Sequence, residues 1–167
     1  PGAASRWWLH QSLANLDAQL RKQGSRLIVR RGPALDTLRE VLREAQADAI
    51  FWNRRYEPAV TERDTRIKKS LTEQGITVQS LNGSLLFEPW TVRTKQDRPY
   101  QVYTPFWRTV SALSTPATPS AVPERLPAPA KWPQTQTLES LGLEPTIDWA
   151  GGMRQHWTPG ETGANER

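Results

Sequence analysis

Apolar positions in the first eighty residues come in two rhythms. Leu9, Leu13, Leu16 and Leu20 are spaced four, three and four apart, and Trp8 extends the same stripe. That spacing predicts an amphipathic helix, with Ser5 as its N-cap and Gly24 as its stop. Leu27-Ile28-Val29, bounded by arginines, predicts a short buried strand that ends at Gly32-Pro33. A second helix is expected over Ala34–Gln46, with Leu35, Leu38, Leu42 and Ala45 on one face. Ala49-Ile50-Phe51-Trp52 then forms an apolar run that stops at Asn53, the pattern of a strand buried on both faces. A polar loop leads to a third helix over Val60–Gln74, with Val60, Ile67 and Leu71 as its buried face. Gly75 ends it, and Ile76–Leu81 reads as a further strand.

Helix and strand alternate with a repeat of about 25 residues, which argues for a parallel sheet with helical crossovers, an α/β fold. After Leu81 the regularity loosens. Asn82-Gly83 signals a turn, Leu85–Trp90 is an apolar segment closed by Pro89-Trp90, and Arg93–Arg98 reads as an exposed loop. Tyr100–Val110 is rich in aromatic residues and carries Pro105 where a helix can begin. Ser111–Thr137 holds six prolines among Ala, Ser and Thr, the composition of an extended linker. The organisation expected is therefore an α/β part over residues 1–110, a Pro-rich linker over 111–137, and the opening of another domain over 138–167.

Composition narrows the classes. With no cysteine among the 167 residues there is no disulfide framework and no thiolate metal site. The two histidines, His10 and His156, lie in different regions, so neither a histidine metal cluster nor a Ser-His-Asp arrangement is expected. No apolar run approaches the ~18 residues of a membrane span, and the N-terminus lacks a signal-peptide layout; the expectation is a cytoplasmic protein. The net charge of +5 permits an anionic partner without demanding one. Fingerprints of dinucleotide, P-loop and α/β-hydrolase sites are all missing.

What remains is the loop after Trp52. Ligands of open α/β sheets sit beyond the carboxyl ends of the strands, and there the chain gathers Asn53, Arg55, Tyr56, Glu57, Thr61, Glu62 and Arg63. A carboxylate and an amide at this place suit a ring with hydrogen-bond donors, and Arg54 or Arg55 could neutralise an acidic tail. Thr61-x-x-Asp64 also has the form of a capping box, in which case Thr61, Glu62 and Asp64 only complete a helix terminus. Arg66, Lys68 and Lys69 read as a solvated helix face.

Five motifs in order, Ser5–Leu13 (SRWWLHQSL), Trp52–Asp64 (WNRRYEPAVTERD), Asn82–Trp90 (NGSLLFEPW), Tyr103–Trp107 (YTPFW) and Trp157–Glu161 (WTPGE), resemble the photolyase/cryptochrome family. The LFEPW segment is similar to the branch that unites plant cryptochromes with related bacterial photolyases. The resemblance implies a Rossmann-like parallel sheet with flanking helices, whose first strand–helix–strand would precede Ser5. It implies that the linker leads into an all-helical domain that binds FAD and UV-damaged DNA beyond Arg167, where the catalytic residues are also expected. The full-length protein would be a monomer that splits pyrimidine dimers with light, or a cryptochrome that signals without repair. An antenna chromophore, methenyltetrahydrofolate or a deazaflavin, would sit on the α/β part. The family's folate positions fall on Thr61 and Glu62, Thr61 standing where some folate-binding members have asparagine; Asn53 and Arg55 complete the expected cofactor-binding set. A reading free of the resemblance is a small nucleotide-binding α/β module, which predicts nucleotide binding by calorimetry and no role for light.

The family's strand order, 3-2-1-4-5, places Leu27–Val29 third and the other two strands fourth and fifth, with a gap between third and fourth. Such a sheet is expected to be unstable alone or to rearrange. Cooperative thermal unfolding of the polypeptide with the family's sheet geometry intact would overturn this expectation.

Overall fold

The computed structural model describes residues 2–113 and 120–166. They form two compact units, one comprising Pro1–Ala47 and Val122–Arg167, the other Asp48–Ala121.

The second unit is built on a strand–helix–strand crossover. Strand β1 (Ala49–Asn53) and strand β2 (Thr77–Leu81) pair in parallel, with Ala49 opposite Thr77 and Asn53 opposite Leu81. Helix α3 (Pro58–Thr72) joins them. Its apolar residues Ile67 and Leu71 are buried, Leu71 completely, and the helix packs on β2. The chain leaves α3 through Gly75, at φ +82°, a left-handed turn that glycine adopts without a Cβ clash. Ile76 N–H then bonds Leu71 C=O at 3.1 Å, fixing the start of β2.

Period-two alternation sorts the strands. Ile50, Trp52, Val78 and Ser80 are half-buried, whereas Phe51, Asn53, Gln79 and Leu81 are exposed. The expectation of a β1 buried on both faces is corrected here: Phe51 is 58% exposed. Its hydrophobicity reports a strand type that normally has helices on both faces, and only one set of side chains is covered. Helix α4 (Tyr103–Ala112) follows the turn region, starting two residues before Pro105.

In the first unit, helix α1 (Ala3–Lys22) begins after Gly2, so Ser5 lies inside the first turn and is not the cap. The buried residues of α1 are Trp7 and His10, while Leu9 and Leu16 are exposed. His10 faces Glu144 at 3.6 Å. Trp7, Trp8 and Trp157 meet edge to face, with centroids 6.2 and 6.0 Å apart.

The run Leu27-Ile28-Val29 is extended and half-buried, but it pairs with no strand among the described residues. Its polar backbone is satisfied otherwise. Leu27 N–H donates to Asp17 Oδ1 at 2.8 Å, Val29 N–H to Thr135 Oγ1 at 2.8 Å, and Val29 C=O accepts from Gln136 N–H at 2.9 Å. The Pro-rich stretch expected over 111–137 falls partly outside the described residues, at 114–119. From Val122 to Thr137 it forms neither helix nor strand, and residues 132–136 lie along the 26–30 stretch. Arg26 stacks its guanidinium 4.6 Å from the Trp132 ring centre, and Pro133 is buried. Helix α2 (Ala34–Ala45) adds Glu44, which accepts from Arg30 Nη2 at 2.5 Å and from Gln134 N–H at 2.8 Å. Those bonds, the Gln134 amide first, hold the Glu44 carboxyl below its ordinary pKa. Short helices α5 (Gly151–His156) and α6 (Glu161–Asn165) close the unit.

Leu71→Ala deletes the one side chain of the crossover that is wholly buried. It is expected to cost about 2–5 kcal/mol, measured as faster amide hydrogen exchange along β1 and β2.

Candidate ligand edge of the parallel sheet

Because β1 and β2 run parallel, both carboxyl ends open on one edge. Arg54 N–H still bonds Leu81 C=O at 2.8 Å, one step past the strand, so the loop leaves β1 from a fixed point. Asn82 then turns the other strand: its Oδ1 accepts from the N–H groups of Ser84 and Leu85, and its Nδ2 donates to Leu85 C=O at 2.6 Å. Gly83 presses on Asn53. A Cβ added at position 83 would lie 2.4 Å from the Asn53 side-chain carbon, so a larger residue there requires the Asn53 side chain to move.

Residues 54–57 alternate in what they face. Arg54 pairs with Glu88, donates from Nη2 to Ser80 C=O at 2.6 Å, and lies 5.1 Å from the Trp90 ring centre. Tyr56 donates its hydroxyl to Glu88 Oε2 at 2.6 Å, and its ring leans on Trp90 at 6.3 Å. Burial, and after it the Glu88 carboxylate, push the Tyr56 phenol above its ordinary pKa. Between them, Arg55 is exposed and pairs with the equally exposed Glu57. The Arg55 hydrogen bond is the main reason that the Glu57 carboxyl drops from 4.5 to about 2.

Helix α3 starts at Pro58, two residues earlier than Val60, and Glu57 is its N-cap position. The capping-box reading of Thr61 and Asp64 is therefore corrected: both lie inside the helix. Thr61 donates its hydroxyl to Arg55 C=O at 3.3 Å, and Asp64 pairs with Arg63 at 2.7 Å. Proline at the first helical position sets the start, because its fixed φ suits a helix and it has no N–H to leave unsatisfied. Glu62 is exposed and sits 3.9 Å from Arg66 one turn on. Of the four residues expected to bind a cofactor, the structure links Arg55 to Thr61 through that hydroxyl. Asn53 stands against Gly83 and Glu62 beside Arg66. Arg54, considered for an acidic tail, is committed to Glu88.

Sequence reading passed over Glu88. A lone carboxylate between Phe87 and Pro89 was the available signal, since a charge in an apolar run needs a partner. Glu88 also borders an open groove of about 510 Å³, whose walls include Leu85, Phe87, Val92, Phe106 and Trp107.

The DNA photolyase family model matches residues 1–130. The chain belongs to the DNA photolyase family. This photolyase-family chain is 44% identical, over 99% of its length, to the deoxyribodipyrimidine photo-lyase of Agrobacterium fabrum, covering 35% of that protein. It is 41% identical to Cryptochrome-1 of Arabidopsis thaliana over 75% of the chain and 19% of that protein. The crystal structure of a bacterial class III photolyase from Agrobacterium tumefaciens superposes with a TM-score of 0.93 at 44% identity, over 99% of this chain and 34% of that one. The photolyase-family chain thus spans about a third or less of these relatives. The likeness to both a bacterial photo-lyase and a plant cryptochrome agrees with the branch indicated by LFEPW.

The Arg55–Glu57 pair carries a pH signature. A carboxyl lowered on folding stabilises above its unfolded value of 4.5 and loses that contribution as pH falls to about 2. A carboxyl-detected NMR titration is expected to show Glu57 ionised at pH 3.5 in the wild type, about one unit below the ordinary value, and its midpoint to rise in Arg55→Ala, where only the backbone bonds of Glu57 and Tyr56 still lower it.

Proposed function

We propose that the chain is the antenna-bearing part of a deoxyribodipyrimidine photo-lyase, a bacterial cytoplasmic enzyme that repairs cyclobutane pyrimidine dimers in UV-damaged DNA. The observation that carries this reading is the identity to a photo-lyase along nearly the whole chain. In the full-length enzyme FAD, reduced and excited by blue light, supplies the electron that splits the dimer. None of residues 1–167 is assigned to that step. By the domain organisation proposed, residues 1–110 are antenna domain, 111–137 linker and 138–167 the first part of the helical domain.

The residues at the sheet edge fit an antenna chromophore of the folate type. Glu62 is exposed and its carboxylate has acceptor capacity beyond the single Arg66 contact, which suits the amino and ring N–H groups of a pterin. Thr61 places a hydroxyl one residue before it. Asn53 offers an amide at the end of β1, and Arg55 an exposed cation for a carboxylate tail once Glu57 yields it.

The second reading is a cryptochrome without repair activity, favoured by the similarity to Cryptochrome-1. Blue-light repair of a thymine dimer by the full-length gene product decides between them: repair is expected, and FAD binding without repair selects the cryptochrome. For the antenna, Glu62→Gln is expected to weaken methenyltetrahydrofolate binding about ten- to a hundredfold, by losing a charge-assisted hydrogen bond worth roughly 1.5–3 kcal/mol. Titration of the chromophore's absorbance measures it.

A further inference from the structure

Glu88 is separated from the β1 loop by more than thirty residues, yet both of its carboxylate oxygens are spent there. Oε1 accepts from Arg54 and Oε2 from the Tyr56 hydroxyl. Its side chain is only 13% exposed, so the contact is not a solvated surface pair. Trp90 adds a second grip on the same two residues, with the Arg54 guanidinium over its ring and the Tyr56 ring tilted against it. Arg54 also ties back to Ser80 C=O on β2. Positions 54 and 56 are thus held inward by Glu88 and Trp90, with Ser80 of β2 as a further hold on Arg54, and Arg55 is left exposed between them.

We infer that Glu88 is the positioning residue of the ligand edge: by clamping Arg54 and Tyr56 it fixes the 54–57 loop so that Arg55 and the start of α3, with Thr61 and Glu62, present one preformed face to a chromophore. This rests on the antenna reading given above for what the face binds. Glu88 itself touches no ligand. Its effect runs through the loop backbone, whose Arg55 C=O also receives the Thr61 hydroxyl. An outer residue that orients binding groups typically controls affinity about as strongly as one of the groups it orients. A glutamine at 88 is a demanding replacement despite its size. It offers one acceptor oxygen where the carboxylate offers two, and its N–H₂ would face either the donor-only Arg54 or the Tyr56 hydroxyl, which would then accept instead of donate.

The test uses the full-length gene product with methenyltetrahydrofolate as the probe, in the wild type, Glu88→Gln, Tyr56→Phe and Glu62→Gln. Circular dichroism checks that each is folded. Glu88→Gln is expected to weaken binding about tenfold, and Tyr56→Phe to weaken it less because Arg54 remains clamped. Two readouts separate positioning from general loosening. In Glu88→Gln, amide exchange is expected to quicken at residues 54–57 while β1 and β2 keep wild-type exchange. The Tyr56 phenol, raised in the wild type, is expected to titrate closer to an ordinary tyrosine. Wild-type affinity in Glu88→Gln, with Glu62→Gln weakened, overturns the positioning role and leaves the antenna reading standing. Weak binding in Glu88→Gln with wild-type affinity in Glu62→Gln supports Glu88 and removes Glu62 from the site. If the wild type binds no folate, the antenna reading fails, and loop exchange alone decides: quickened at 54–57 it supports the clamp, unchanged it overturns it.

Discussion

The parallel pairing of β1 with β2 is the constraint on which the second unit depends. Parallel strands need a crossover, and α3 supplies it, seated by Leu71. The same pairing carries both strand ends to one edge. Two loops that are distant in sequence, 54–57 and 82–90, therefore meet there. Antiparallel pairing would send them to opposite ends. Glu88 could then reach neither Arg54 nor Tyr56, and the edge would have no second wall.

In the first unit a different solution answers the same problem. The 27–29 run has the composition of a strand and no strand beside it among the described residues. Buried backbone groups must nevertheless be paired. Asp17, Thr135 and Gln136 do what a ladder would have done. Arg26 and Arg30, which flank the run, hold the neighbouring segment through Trp132 and the carbonyls of Pro133 and Gln134.

Much of this was legible in the residues. The three long helices and the two paired strands follow from the spacing of Leu, Ile and Val; in α3 that spacing also marks the covered face, whereas in α1 Leu9 and Leu16 of the stripe are exposed and Trp7 and His10 are buried. The boundaries at Gly24 and Gly75 were legible because left-handed turns select glycine. Other features were not. Pro58, rather than Val60, starts α3, since a Pro at a first helical position and a Thr-x-x-Asp pattern stand close together and local pattern cannot rank them. Phe51 is exposed because apolar composition describes what a strand can bury, and not what lies beside it. Glu88 was missed because its partners are set by strand register, a long-range property. At the candidate site, the residue types and their edge were readable. Which arginine was available was not: Arg54 and Arg55 are identical neighbours, and only the alternation of the loop sends one to Glu88 and the other to solvent.

The segment at 132–136 shows how a chain can hold its place while its letters drift. Pro133 C=O, Gln134 C=O, Gln134 N–H and Gln136 N–H make most of its contacts with the 26–30 stretch and Glu44. Main-chain atoms are common to nearly every amino acid. Gln134 and Gln136 can therefore be exchanged for any residue that keeps its N–H, which excludes proline. Trp132, which meets Arg26 with its ring, and Thr135, which uses its hydroxyl, have no such freedom. A spacer rich in proline can in this way be variable in sequence and still constant in path.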